Sequence, residues 1–351
     1  MRPARDSWIN PALALCLCTA AGATFSWLRL PLPWMLGPLA AMAICNLAGA
    51  GLRALRGGRE VGQIVIGTAL GLYFTPAVAR EIASYWHVLL LAGAFAVVLG
   101  ALSGWILGRL AGVDGTTAFF ASVPGGAADM TILGERYGAR PDRVALGQSL
   151  RILAVVIVVP FALTYSGAHG NDLYQSAAGP LAWDKLVLLL GIGAVAALAV
   201  NVTRIPNAFM FGPLGVAIGL TVSELHFSSV PTGLSNAAQV LLGCALGSRF
   251  QRRSLESTPR FLGGVLVSVA VAMAVAAAFA ALLALASGAP LATLVLATAP
   301  GGMAEMCITA KVLQLGVPLV TAAHVTRVLV LLTTTGPTFR IARSLRARFR
   351  R

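Results

Sequence analysis

Residues 122–130 read SVPGGAADM and residues 298–306 read TAPGGMAEM, two versions of one motif set 176 positions apart. The flanking residues are apolar enough to be helical, yet a proline and two glycines stand in the middle of each. Proline removes a backbone donor and glycine permits positive φ. The chain is therefore expected to unwind at Pro124, Gly125 and Gly126, and again at Pro300, Gly301 and Gly302, with a half-helix restarting after each break. Helix breaks are tolerated inside a membrane when the freed backbone is buried in protein or lines a cavity.

Outward from the motif, the same offset pairs Gln148 with His324, Arg151 with Arg327 and Gln63 with Gln239, and pairs Gly67 and Gly71 with Gly243 and Gly247. At an offset of 175, RLPLPWMLGPL from Arg29 answers RIPNAFMFGPL from Arg204. Four blocks in one order define an internal duplication. The reading gives a first membrane repeat over 9–165, an extracytoplasmic linker over 166–182, a second membrane repeat over 183–341 and a basic cytoplasmic tail over 342–351.

Composition identifies the solvent. Of 351 residues 58% are apolar and 11% charged, against about 25% charged in soluble domains. A water-facing shell cannot be drawn from that supply, so the expected fold is an all-α integral membrane protein. In repeat one the apolar segments run about Asn10 to Trp27, Pro33 to Ala50, Val61 to Phe74, Ser84 to Leu107, Thr117 to Leu133 and Val144 to Tyr165, and repeat two echoes them. Several are shorter than the roughly 20 residues of a straight span. The opening residues imitate a secretory signal, but the second repeat has a counterpart to that segment, which favours a first transmembrane helix.

Lys and Arg number 26 against 12 acidic residues, and their placement orients the repeats. After the second segment repeat one carries Arg53, Arg56 and Arg59, where repeat two has Glu224 and His226. After the third, repeat one has Arg80 and Glu81, whereas repeat two has Arg249, Arg252, Arg253 and Arg260 with Glu256. After the PGG segment, Arg136, Arg140 and Arg143 face a lone Lys311. Equivalent loops thus lie on opposite sides under the positive-inside rule. Two inverted repeats follow, each of about five transmembrane helices plus one broken or re-entrant PGG helix, with both termini cytoplasmic in the inner membrane. Six full crossings per repeat in parallel would leave the charge reversal unexplained.

Inverted repeats with discontinuous helices at matching places suggest a secondary transporter. Amides at a helix restart attract anions, and intramembrane ionisable groups are functional candidates. The substrate-binding candidates are Ser122, Gly125, Gly126, Gln148 and Arg151, their counterparts Thr298, Gly301, Gly302 and Arg327, and the pair Gln63 and Gln239. Asp129, Glu305 and His324 are candidates for coupling to a proton or sodium ion, and Pro124 and Pro300 for the breaks themselves. Each has a structural alternative. The carboxylates could cap their half-helices, an arginine could form an internal pair such as Asp129 with Arg151, and His324 could be a bonded core histidine. Gly67, Gly71, Gly243 and Gly247 suit close helix contact, and Gly37 and Gly212 a helix start or bend.

No metal or other cofactor is expected. His87, His169, His226 and His324 are scattered without ligand spacing, and Cys16, Cys18, Cys45, Cys244 and Cys307 form no CxxC pair. The glycine-rich fragments lack the preceding strand of a nucleotide site.

The paired PWMLGPL and PNAFMFGPL blocks together with the doubled PGG motif resemble the bacterial membrane AbrB duplication family, over almost the whole chain. That resemblance implies one of the labels such proteins carry, an AbrB-type regulator of gene expression or an ammonia monooxygenase. The residues offer no ligands for a monooxygenase, and the longest polar connection is too short for a DNA-binding domain, so an effect on expression would be indirect. The expectation is a transporter of a small organic, anionic solute, coupled to protons or sodium, with one bundle moving against the other. Its partners are the lipid bilayer and the solute, without direct nucleic acid, and a homodimer is compatible with it. A membrane sensor that binds the solute without moving it is the alternative.

Overall fold

Helices follow wherever the apolar runs were read, and the PGG motifs split two of them. The computed structural model describes residues 6–168, 170, 179–225, 227–252 and 259–348. His169, His226, Arg253, Glu256, most of the linker and both extreme ends lie outside the described residues.

Among the described residues there are fifteen helices and no strand. Repeat one gives α1 (Asp6–Trp27), α2 (Pro33–Leu47), α3 (Gly58–Gly71), α4 (Pro76–Ser84), α5 (Trp86–Ala111), α6 (Gly115–Ser122), α7 (Ala127–Arg136) and α8 (Pro141–Tyr165). Repeat two gives α9 (Trp183–Val202), α10 (Ala208–Val222), α11 (Thr232–Gly247), α12 (Pro259–Ser287), α13 (Leu291–Thr298), α14 (Met303–Leu313) and α15 (Val317–Arg348). By length and apolarity α5, α8, α9, α12 and residues Val317–Phe339 of α15 can cross a membrane, or six spans if α3 and α4, bent by 90°, count as one. This is a multi-pass helical membrane protein. Five crossings in each repeat is more than length alone supports, because α2 and α10 have 15 residues each, about 22 Å against a hydrocarbon core of about 30 Å. The spans turn large apolar side chains outward, such as Val187 and Val195 on α9, as lipid-facing helices do.

The chain forms two compact units, and each draws on both repeats. Unit one comprises Met1–Ala83, Val156–Ser257 and Cys307–Pro318, and unit two Ser84–Val155, Thr258–Met306 and Leu319–Arg351.

In unit one, α1 pairs with α2 and α9 with α10, while the third segments are exchanged: α3 packs on α10, and α11 on α2. Glycine makes the exchange possible. A Cβ at Gly67 would come within 2.6 Å of the Met210 carbonyl oxygen, and one at Gly243 would overlap the Met35 carbonyl. Gly37 and Gly212 lie inside α2 and α10, against the backbones of Ala21 and Ala197. They are points of close helix contact and do not start a helix. The reversals before α2 and α10 share an unusual backbone: Arg29 and Leu32 have φ of 53° and 46°, and Arg204 and Asn207 have 58° and 55°.

In unit two, α5 packs on α12, and Phe95 stacks on Phe279 at 3.9 Å between centroids. The half-helices α6 and α13 pack on α5 and α12 respectively. Gly100 and Gly104 of α5 leave room for the backbones of Val123 and Phe119. Phe119, Phe120, Tyr137 and Phe339 close the α6 side with an aromatic cluster.

Candidate functional site

Each break is built from the end of one half-helix, an extended residue, the PGG turn and the start of the next half-helix. Asp114 caps α6 by accepting from the Thr117 amide at 2.8 Å. The helix stops because Val123 turns extended (φ −58°, ψ 129°) ahead of Pro124, which has no N–H to continue the ladder. Ala299 takes nearly the same conformation (φ −55°, ψ 135°) before Pro300. Two short helices thus end with uncapped carbonyls inside an apolar unit, where they need donors.

The last helix of each repeat supplies them, at equivalent positions. Gln148 Nε2 donates to the carbonyls of Phe120 and Val123, both at 2.8 Å. Its counterpart His324 places Nε2 3.0 Å from the Leu296 carbonyl. A carbonyl only accepts, so Nε2 carries the hydrogen and Nδ1 is the basic nitrogen. Arg151 donates to Ser122 (3.3 Å), Val123 (2.7 Å) and Gly125 (3.4 Å) carbonyls. Arg327 donates to those of Ala299 and Gly301, both at 2.8 Å. Positive charge at a helix C-terminus is also favoured by the helix dipole. Both guanidiniums are buried, 3% and 4% exposed. The Cβ position of Gly301 lies 3.0 Å from Val155 on α8, so the second repeat's break packs against the first repeat's last helix within unit two.

On the far side of each break the carboxylates turn back over it. A Cβ at Gly126 would overlap Oδ2 of Asp129, and one at Gly302 would overlap Oε2 of Glu305. Both acids occupy the third position of their half-helix, where negative charge favours the exposed amides. None of the four motif glycines has positive φ among the described residues. The expectation that they serve backbone freedom is thus corrected: they serve space, for the carboxylates and for Met130 and Met306.

Ser122 and Thr298 differ. Thr298 Oγ1 donates within its own neighbourhood, to Leu294 (2.9 Å) or Ala276 (3.2 Å) carbonyls, whereas Ser122 Oγ lines a small cavity with Ser103, Ser268 and Arg151. Unit two therefore gathers every proposed site residue except Gln63 and Gln239. Those two are buried on α3 and α11 and belong to unit one.

Unit one holds a second polar group, of which sequence reading singled out only Gln239. A cavity of about 160 Å³ is lined by Thr232, Ser235, Asn236 and Gln239 of α11 and by Lys311 of α14, among apolar residues of α3 and α14. The positions of the four α11 side chains, i, i+3, i+4 and i+7, mark one helical face and are visible in the sequence. Lys311 counted there only as a loop charge. Among the described residues no three His, Cys, Asp or Glu side chains converge as metal ligands, and the largely exposed Asp142 carboxylate pairs with Arg140 (3.4 Å) and with Arg143 (3.5 Å).

Comparison with known proteins agrees on one relationship. The family model described as "Transition state regulatory protein AbrB" matches residues 34–343. A Bacillus subtilis (strain 168) protein named "Uncharacterized protein YhjN" is 26% identical, covering 97% of this chain and 94% of its own length. An Escherichia coli (strain K12) protein named "Putative regulator AbrB" is 27% identical, covering 89% of this chain and 90% of its own.

Proposed function

We propose, for a chain that belongs to the AbrB family, that it is a secondary transporter of the bacterial inner membrane moving a small organic anion. The observation that carries this reading is the doubled break in unit two. Two discontinuous helices of the same design lie in one unit, each with a buried arginine on its carbonyl side and a carboxylate on its amide side. Discontinuous helices at matching places in two repeats form substrate and ion sites in transporters. In this reading the repeats are inverted, both termini are cytoplasmic and the solute passes by alternating access. Arg151 and Arg327 set the positive field that draws the anion. Asp129, Glu305 and the Nδ1 atom of His324 exchange the coupling proton or bind sodium. No catalytic step or cofactor enters the reading.

Uptake by proteoliposomes tests it. Small carboxylates are offered under an imposed proton or sodium gradient, in parallel with Asp129→Asn and Arg327→Ala. Gradient-dependent accumulation that both substitutions abolish is the expected result. Equal uptake by the parent and empty liposomes for every solute and gradient sinks the proposal. A solute at about 100 times its dissociation constant should also raise stability by roughly 2.7 kcal/mol, and Arg327→Ala should remove that gain.

The name of the Escherichia coli relative favours a second reading, a membrane sensor that influences expression indirectly. The two part at one point: a sensor binds the solute and shows the stability gain but accumulates nothing.

A further inference from the structure

We infer that the unit-one cavity is a binding site for a small monocarboxylate, with Lys311 as its charge partner. The inference does not depend on transport by unit two. Its first support is charge. Lys311 is half-buried in a cavity otherwise walled by Ile66, Leu70, Ile308 and the α11 face, and among the described residues no carboxylate pairs with it. An ammonium so placed calls for a counter-ion. Its second support is Ser235, which is 5% exposed, lines the cavity and keeps its hydroxyl without a partner. Asn236 and Gln239 add amide donors one turn along.

The duplication supplies a control within the molecule. At the positions equivalent to Thr232, Ser235, Asn236 and Lys311, repeat one carries Arg56, Arg59, Glu60 and Glu135. Both versions of α3 and α11 make the same exchanged packing, so the uncharged polar face is not a requirement of the fold. Only in repeat two does it meet a single cation.

The cavity's size and walls narrow the ligand. About 160 Å³ corresponds to roughly five waters at about 30 Å³ each, enough for an anion of a few carbons. One cation fits one carboxylate. The hydroxyl and amides fit its oxygens or a neighbouring hydroxyl, and the aliphatic wall takes a short chain.

The test is isothermal titration of the purified full chain with acetate, lactate and butyrate, and with butylamine, chloride and sulfate as comparisons. Saturable binding of lactate or butyrate is expected, absent for butylamine, at least about tenfold weaker in Lys311→Met and weakened in Ser235→Ala. A binding component lost in Arg327→Lys and kept in Lys311→Met belongs to the transport site, and the component assigned here is the one that Lys311→Met weakens. No saturable carboxylate binding, an equal response to chloride and sulfate, or unchanged affinity in Lys311→Met overturns the inference. Should Lys311→Met fail to fold, Ile66→Phe fills the cavity from its apolar wall, and unchanged affinity there overturns it equally.

Discussion

Arg327 joins two buried backbone carbonyls, one on either side of Pro300. Its removal leaves them buried and unsatisfied. Arg327→Ala should lower stability by about 2–4 kcal/mol, measured by thermal unfolding in detergent. Arg327→Lys should recover only part of this, because an ammonium lacks the planar fork that spans both acceptors. Gly302 makes a second residue-scale prediction. Gly302→Ala should destabilise by about 1–3 kcal/mol by forcing the Glu305 carboxylate off the break, and Glu305→Ala in the same chain should reduce that loss, a non-additivity read from a double-mutant cycle. The pairing of Arg151 with Arg327 and of Gln148 with His324 was legible in the sequence because side chains carry identity. Their partners were not. A backbone carbonyl is an acceptor in every residue, so nothing in the letters says that these arginines reach the carbonyls of Val123 and Ala299. The polar face of α11 was legible and only Gln239 of it was read, because periodicity was sought among apolar residues.

At the scale of elements, glycines separate into those that admit a neighbouring backbone and those that do not. Gly243→Ala should destabilise by about 1–3 kcal/mol, since α2 must move away. Gly233→Ala, on the same helix with nothing within 4 Å, should instead stabilise by about 0.5–1 kcal/mol by reducing backbone freedom in the unfolded chain. Thermal unfolding of the two variants, with opposite signs expected, checks the exchanged packing of α11 on α2. The reversals at Arg29 and Arg204 give a further expectation. Arg29→Gly relieves a left-handed backbone at an exposed position and should raise stability by up to about 1 kcal/mol. Most helices were legible from their apolar runs, and the breaks from Pro and Gly. The helix α4 was not, because its nine residues include Arg80 and Glu81 and read as a polar connection. The continuation of α15 to Arg348 was read as tail for the same reason.

For the molecule as a whole, the proposed inversion of the repeats makes a topological prediction. Reporters fused after Arg56 and after Gln251 should both report the cytoplasmic side, and opposite sides would exclude inversion. The duplication was legible, but the division into compact units was not, because sequence similarity ties each segment to its copy and says nothing of which segments touch. The exchange of third segments in unit one also bears on how the protein is made. The groove on α2 is filled by α11, whose Gly243 is about 200 residues downstream of Met35. At roughly 5–20 residues per second of synthesis, the first repeat waits about 10–40 s for the helix that completes it. Neither half is then a folding unit in its own right. Expressed alone, each should expose a glycine-lined groove and be degraded, whereas the two halves, cut within residues 171–178 and produced together, should assemble into the intact protein.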